Sequence, residues 1–248
     1  MAWLQRTRVA PGAAFRVVCF PHAGGTAAFF RHWASPGGRF EVYAVRYPGR
    51  AERAAEPCAT DVRDLAAGVA PAIAALADRP VALFGHSMGA WAAFETALLL
   101  ERGGVPPSRL FVSGASAPPP RPAPAGLETA SPDELATTLV RLGGTDPALL
   151  DDPGLLDRYF PYIRADLLMA SRYAARPADR VGCPVTGVLG DADPVTGPGQ
   201  ASGWSHRTTG GFRQLVVPGG HFYLADDPPL ALLDAEPASS PRTAPIPT

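Results

Sequence analysis

Three short stretches of this 248-residue chain carry residue types that could do covalent chemistry together. They are Gly85-His86-Ser87-Met88-Gly89, Gly190-Asp191-Ala192-Asp193 and Gly219-Gly220-His221-Phe222. Read in chain order they offer a serine, then an acid, then a histidine. Such a set can run nucleophilic acyl transfer. A serine hydroxyl is a weak nucleophile until an imidazole takes its proton, and the imidazole needs a carboxylate to hold its tautomer. Of the five histidines only His206 and His221 follow the serine. His206 lies in a polar stretch, whereas His221 directly follows an apolar run and a Gly-Gly pair that would let its ring swing over Ser87. For the acid, Asp191 abuts the end of an apolar run and reads as a turn cap. Asp193 lies further into the loop and is favoured, with Asp191 left open. Asp226 and Asp227 read as the cap of a final helix.

The elements around these residues decide whether the motif means anything. A bare G-x-S-x-G is common, and it becomes specific between a buried strand and a buried helix. Val81–Phe84 is an apolar run that predicts the strand, and the Ala-rich run from Ala90 predicts the helix. Gly85 and Gly89 stand where a Cβ would meet neighbouring chain in so tight a turn. The Met88 N–H, opening the helix, is then placed to receive a developing oxyanion. A second donor is expected from Pro21-His22-Ala23-Gly24-Gly25-Thr26, a Gly-rich loop directly after the predicted strand Phe15–Phe20. Ala23 is the chosen donor, with Gly24 as the alternative. His22 precedes the serine in a loop that presents amides, and reads as structural.

The rest of the chain alternates strand and helix. Phe40–Val45 predicts a strand, residues 60–77 an amphipathic helix capped by Thr60 or Asp61, and Arg109–Ala115, Pro184–Gly190 and Phe212–Pro218 three further strands. This order implies an α/β fold with a mostly parallel sheet covered on both faces. Between the third and second last of these strands, residues of about 117–178 form an insertion with the size of a lid. It has five prolines within 117–126, a capped helical start at Ser131-Pro-Asp-Glu with Leu135, Leu139 and Leu142, and a helix from about Leu155 to Ala175. Arg46-Tyr-Pro-Gly-Arg-Ala-Glu-Arg53 reads either as a solvated loop or as an anion contact near the site mouth. One domain over 1–235 is expected, with 236–248 a disordered Pro- and Ala-rich tail.

Composition narrows the function classes. A net charge of −1 offers no electrostatic case for nucleic acid or an anionic membrane. All 22 basic residues are Arg, which excludes a lysine base or a Schiff-base lysine. Cys19, Cys58 and Cys183 form neither a metal-ligand spacing nor a disulfide framework, and no apolar run approaches a membrane span. A cytoplasmic protein without metal or organic cofactor is expected.

Taken together, Cys19-Phe-Pro-His-Ala-Gly-Gly25, Tyr47-Pro-Gly-Arg50, Gly85-His-Ser-Met-Gly-Ala90, Gly190-Asp-Ala-Asp193 and Gly219-Gly-His-Phe222 resemble the discrete (type II) thioesterases that serve polyketide synthases and nonribosomal peptide synthetases. Ser131-Pro-Asp-Glu-Leu, Arg141-Leu-Gly-Gly-Thr and Arg164-Ala-Asp166 extend the likeness into the insertion. The resemblance implies the α/β-hydrolase fold and a triad of Ser87, Asp193 and His221. It implies oxyanion amides from Ala23 and Met88. It further implies hydrolysis of stalled or mis-primed acyl groups from the phosphopantetheine arm of a carrier protein. A monomer is expected from size alone, since an editing enzyme of this length can work as one. The family usually continues after the histidine into a longer helix than Asp226-Asp-Pro-Pro229 allows here.

Overall fold

The computed structural model describes residues 3–35, 37–118, 129–131, 133–135, 137, 140 and 153–235. Six strands run parallel: β2 (Phe15–Phe20), β3 (Phe40–Val45), β4 (Val81–His86), β5 (Arg109–Ser113), β6 (Val185–Gly190) and β7 (Phe212–Val217). A short β1 (Leu4–Arg6), which the sequence pattern did not announce, adds antiparallel to the outer edge of β3, with Leu4 opposite Val45. The sheet order is β1-β3-β2-β4-β5-β6-β7.

That order contains the feature that creates a site. The chain leaves β2 towards β3 on one side and returns to place β4 on the other. The loops leaving β2 and β4 therefore diverge at a topological switch point, where a crevice opens beyond the C-terminal ends of the strands. The register makes this concrete. Phe20 pairs with Gly85, so the loop beginning at Pro21 emerges beside His86 and Ser87. His86 in turn pairs with Ser113 on β5, and Gly190 with Val217 at the far side.

Both faces of the sheet are apolar because alternate side chains of parallel strands must each find cover. On one face Val18, Phe20, Leu83, Leu110 and Val112 pack under α1 (Val62–Ala74) and α2 (Met88–Arg102). On the other, Val17, Cys19, Phe84, Phe111 and Val188 meet Phe30, Trp33, Leu224 and Leu233. Asp61 rather than Thr60 caps α1, its Oδ1 accepting the Arg63 N–H at 2.7 Å, a contact worth about 1 kcal/mol.

Between β5 and β6 lies helix α3 (Pro153–Arg172), close to the helix expected from Leu155 to Ala175. Buried Tyr162, Asp166 and Met169, with Tyr173 just beyond the helix end, form one stripe at helical spacing, while Phe160 is buried against Leu135. At Ser131 the expected capped start is present: Ser131 Oγ accepts the Glu134 N–H and Glu134 Oε2 accepts the Ser131 N–H. The proline-rich stretch 119–126, Leu139, Leu142, Arg141-Leu-Gly-Gly-Thr and the tail 236–248 lie outside the described residues. After α4 (Pro198–Ala201) come two short helices, α5 (Tyr223–Asp226), which was not expected, and α6 (Leu230–Asp234), the one short final helix expected in Asp227–Leu233, starting three residues later. Pro228 and Pro229 divide them, since neither can donate within a helix, and the cap of α6 is Pro229 rather than an aspartate.

Candidate active site

Ser87 sits in the turn from β4 to α2 with φ 54° and ψ −122°, a conformation non-glycine residues avoid and that costs of order 1–3 kcal/mol. The neighbouring glycines are what the turn demands. A Cβ on Gly85 would lie 2.5 Å from Ala90 Cα, and one on Gly89 would lie 2.5 Å from the Pro21 carbonyl oxygen. The elbow is tied to the next strand by the Ser87 N–H, which donates to Ser113 O at 2.8 Å. Ser87 is partly exposed whereas Met88 is buried, so the hydroxyl side of the turn faces outward.

His221 follows β7 and is 2% exposed. Its Nδ1 lies 2.9 Å from Asp193 Oδ2 and 3.1 Å from Oδ1, and the carboxylate side chain is fully buried. A carboxylate only accepts, so Nδ1 carries the proton and Nε2 is the basic nitrogen of this tautomer. The Asp193 carboxylate is itself fixed: Oδ1 accepts the N–H groups of Val195 at 2.7 Å and Thr196 at 3.1 Å. Thr196 Oγ1 then donates to Gly114 O at 3.2 Å. Gly114 relates the pair to the elbow. It follows Ser113, the acceptor of the Ser87 N–H, and a Cβ on it would lie 3.2 Å from His221 Cε1. Asp191 does something else: its Oδ1 accepts the Gly219 N–H at 2.9 Å, fastening the loop after β6 to the glycine pair before His221. His206 lies in a 3₁₀ turn, Ser202–Arg207.

At the end of β2 the loop turns tightly, with the Gly25 N–H donating to His22 O at 2.9 Å. The Gly24 N–H is taken by Asp166 Oδ2 at 2.8 Å. The Ala23 N–H has no acceptor among the described residues. Met88, as the first residue of α2, likewise has no carbonyl four residues back within the helix.

Two histidines line the floor without joining the pair. His22 packs edge-on against Phe29 and Phe222, at 4.9 and 4.7 Å between centroids. Burial, then the positive charges that His221 and Arg50 can carry, push His22 down to about 3. His86 donates or accepts at Nδ1 with Ser113 Oγ at 2.9 Å, and Ser113 Oγ meets Tyr223 OH at 2.8 Å. Burial and the neighbouring His221 and His22 hold His86 well below the usual imidazole range. This buried chain beneath the site was not foreseen. Its only sequence signal is a histidine and a serine at the matched ends of adjacent strands.

The arginine-rich turn after β3 is neither a solvated loop nor a contact for anions at a mouth. Arg50 and Arg53 are buried. Arg53 pairs with Glu56 at 2.5 Å, donates to Arg46 O at 2.8 Å and lies over the Trp3 ring at 3.9 Å. Arg50 forms a two-pronged ion pair with Asp166. Among the described residues no cluster of three or more His, Cys, Asp or Glu side chains could hold a metal ion, and no helix is long and apolar enough to cross a membrane.

A family model described as "Thioesterase domain" matches residues 15–235. The chain is 41% identical over 236 residues to "Thioesterase PikA5" of Streptomyces venezuelae, covering 90% of this chain and 80% of that one. It is 39% identical over 225 residues to the "Probable cadicidin biosynthesis thioesterase" of Streptomyces griseus, covering 90% of this chain and 62% of that relative's length. The solved structure of the RedJ thioesterase from the prodiginine biosynthetic pathway in Streptomyces coelicolor aligns with a TM-score of 0.83 at 38% identity, covering 91% of each chain.

Proposed function

The chain belongs to the thioesterase family, and from that premise we propose that it is a type II thioesterase with Ser87, His221 and Asp193 as its catalytic triad. The observation that carries this reading is the strained serine at the β4–α2 turn, on the same sheet edge as a buried His221–Asp193 pair. Its substrates are acyl thioesters on the phosphopantetheine arm of a carrier protein of a polyketide synthase or nonribosomal peptide synthetase. The cadicidin and prodiginine biosynthetic pathways of its relatives support that class.

The reaction is acyl transfer to water in two steps. His221 Nε2 takes the Ser87 hydroxyl proton as Oγ attacks the thioester carbonyl. The carbonyl oxygen becomes an oxyanion held by the N–H groups of Ala23 and Met88. Removal of one such donor in a serine hydrolase costs about 10²–10³-fold in kcat. Collapse breaks the C–S bond, and the leaving thiolate takes the proton from His221. Water then attacks the acyl-enzyme with His221 as base, releasing the carboxylic acid and returning the proton to Ser87. Asp193 keeps the Nδ1–H tautomer throughout. None of these steps calls for a metal or organic cofactor.

We read residues 1–235 as one domain in which the insertion of about 117–178, including α3, roofs the crevice as a lid, and 236–248 as a tail. Free thiols at Cys19, Cys58 and Cys183 suit a reducing compartment, and the working unit is a cytoplasmic monomer. Comparing kcat/KM for an acyl-loaded carrier protein with that for a p-nitrophenyl ester of the same acyl group tests the substrate class. A clear preference for the carrier thioester is expected; activity on the ester alone would make the chain a small-molecule esterase on the same triad.

A further inference from the structure

Helix α3 grips the loop that bears Ala23 directly through Asp166 and Ile163, and through Tyr162 by way of Arg50. Asp166, fully buried, accepts the Gly24 N–H at 2.8 Å. The same carboxylate receives Arg50 at 2.5 and 2.6 Å, and Arg50 also donates to Gly25 O at 3.2 Å. The guanidinium is flanked by the rings of Tyr47 and Tyr162, at 5.4 and 4.6 Å from their centroids. Ile163 closes the third contact: a Cβ on Gly24 would lie 2.8 Å from its Cγ1. On the upstream flank of the loop, Tyr47 OH donates to Pro21 O at 3.1 Å.

These contacts bear on one peptide geometry. His22 to Gly25 is a turn closed by the Gly25 N–H to His22 O bond, and Gly24 has φ 77°, as the third residue of a type II turn requires. The Gly24 N–H belongs to the central peptide of that turn, the one that reverses when a type II turn relaxes towards type I. Asp166 holds that peptide, Arg50 holds the Gly25 carbonyl two residues after Ala23, and Tyr47 holds the Pro21 carbonyl two residues before it. The Ala23 amide, without an acceptor of its own among the described residues, is fixed from both sides by its neighbours. A buried ion pair is a poor source of net stability, because desolvation offsets its attraction. Its effect here is directional. Burial opposes the charge on Arg50, but the hydrogen bonds and charge of Asp166 outweigh it and keep the guanidinium cationic.

We propose that Arg50 and Asp166 are positioning residues for thioester hydrolysis, which hold the His22–Gly25 turn so that the Ala23 amide meets the oxyanion, and which do so only while α3 is seated on that turn. Neither residue touches substrate; each acts through Gly24 and Gly25. The proposal rests on the Ser87 reading given above. It makes the seating of α3 and the competence of the oxyanion site one event, since the same carboxylate serves both.

The test compares wild type, Asp166→Asn and Arg50→Lys with a small acyl thioester of N-acetylcysteamine as substrate and an alkyl boronate as tetrahedral oxyanion mimic. Both variants are expected to lose about 10- to 100-fold in kcat with KM unchanged, and the boronate Ki should rise by the same factor as kcat falls. A structural role alone would lower the thermal midpoint and leave the boronate Ki in place. That outcome, or wild-type kcat in folded variants, overturns the proposal. Arg50→Lys keeps charge and stem and serves if Asp166→Asn does not fold; Tyr162→Leu, which removes only the ring over Arg50, is a third and milder probe. Ser87→Ala run in parallel separates the two claims. If it stays active, the serine reading fails. If it is inactive while the Asp166 and Arg50 variants behave as wild type, only the positioning role fails.

Discussion

Gly89→Ala should damage catalysis more than its single methyl group would suggest. The new Cβ would lie 2.5 Å from Pro21 O and closer still to Phe20 O, both of them backbone atoms. A carbon beside a carbonyl oxygen rests at about 3.3 Å, so the start of α2 and the end of β2 must part by about 1.1 Å, the difference from the 2.2 Å to Phe20 O. Overpacking of this kind typically costs 1–3 kcal/mol of stability. The direction of the movement matters more than its energy. Met88 opens α2 and Ala23 follows β2, so the forced separation pulls apart the two amides proposed to share one oxyanion. Misplacement by about 1 Å costs on the order of 10²-fold in rate. The assay is steady-state hydrolysis of an acyl thioester beside a thermal melt, with Gly199→Ala as control, where an added Cβ meets nothing within 4 Å. Gly89→Ala should lose about 10²-fold in kcat and several degrees of melting temperature, and Gly199→Ala neither. Wild-type kcat in Gly89→Ala would refute the steric account of the elbow.

Two further outcomes follow from the same geometry. Asp193→Asn should lower kcat by about 10³–10⁴-fold by favouring the wrong tautomer of His221, while Asp191→Asn, at a carboxylate that accepts the Gly219 N–H, should stay near wild type; the reverse ranking in steady-state assays would exchange their roles. Acid should weaken the fold through His22, whose imidazole is held neutral down to about 3 while the unfolded chain takes its proton near 6.5. The stability present above pH 6.5 is therefore lost as pH falls from 6.5 towards 3, at up to about 1.4 kcal/mol per unit. Urea unfolding should show wild type losing about 2 kcal/mol more than His22→Gln between pH 6.5 and 5; equal losses would contradict the buried neutral histidine.

Local pattern carried most of the fold because the chain alternates short apolar runs with capped helices. Phe15–Phe20, Phe40–Val45 and the strand before Ser87 were legible as runs of apolar residues that only a doubly covered sheet needs. The site was legible for a related reason: an elbow serine must lie between strand and helix, and its histidine must end a later strand. The choice of Asp193 over Asp191 was different. Both follow β6, and only the bond from Asp191 to the Gly219 N–H separates a loop fastener from the partner of His221. β1 escaped notice because Leu-Gln-Arg has no alternation to read and lies at an edge. The Arg50–Asp166 pair escaped because an arginine in a Pro-Gly turn looks solvated, and its partner is 116 residues away. A signal was present in α3, where Asp166 interrupts the otherwise apolar stripe of Tyr162, Met169 and Tyr173. An acid in a buried stripe needs a cation, and the turn dense in arginine was the place to seek it.

The most direct test of the central claim is the intact mass of an acyl-loaded carrier protein after incubation with wild type and with Ser87→Ala. Loss of the acyl mass with wild type, and its retention with Ser87→Ala, is the predicted result. Loss with both proteins would remove Ser87 from the chemistry. Retention with both, while each still binds the carrier, would make the chain a binding module on a hydrolase fold.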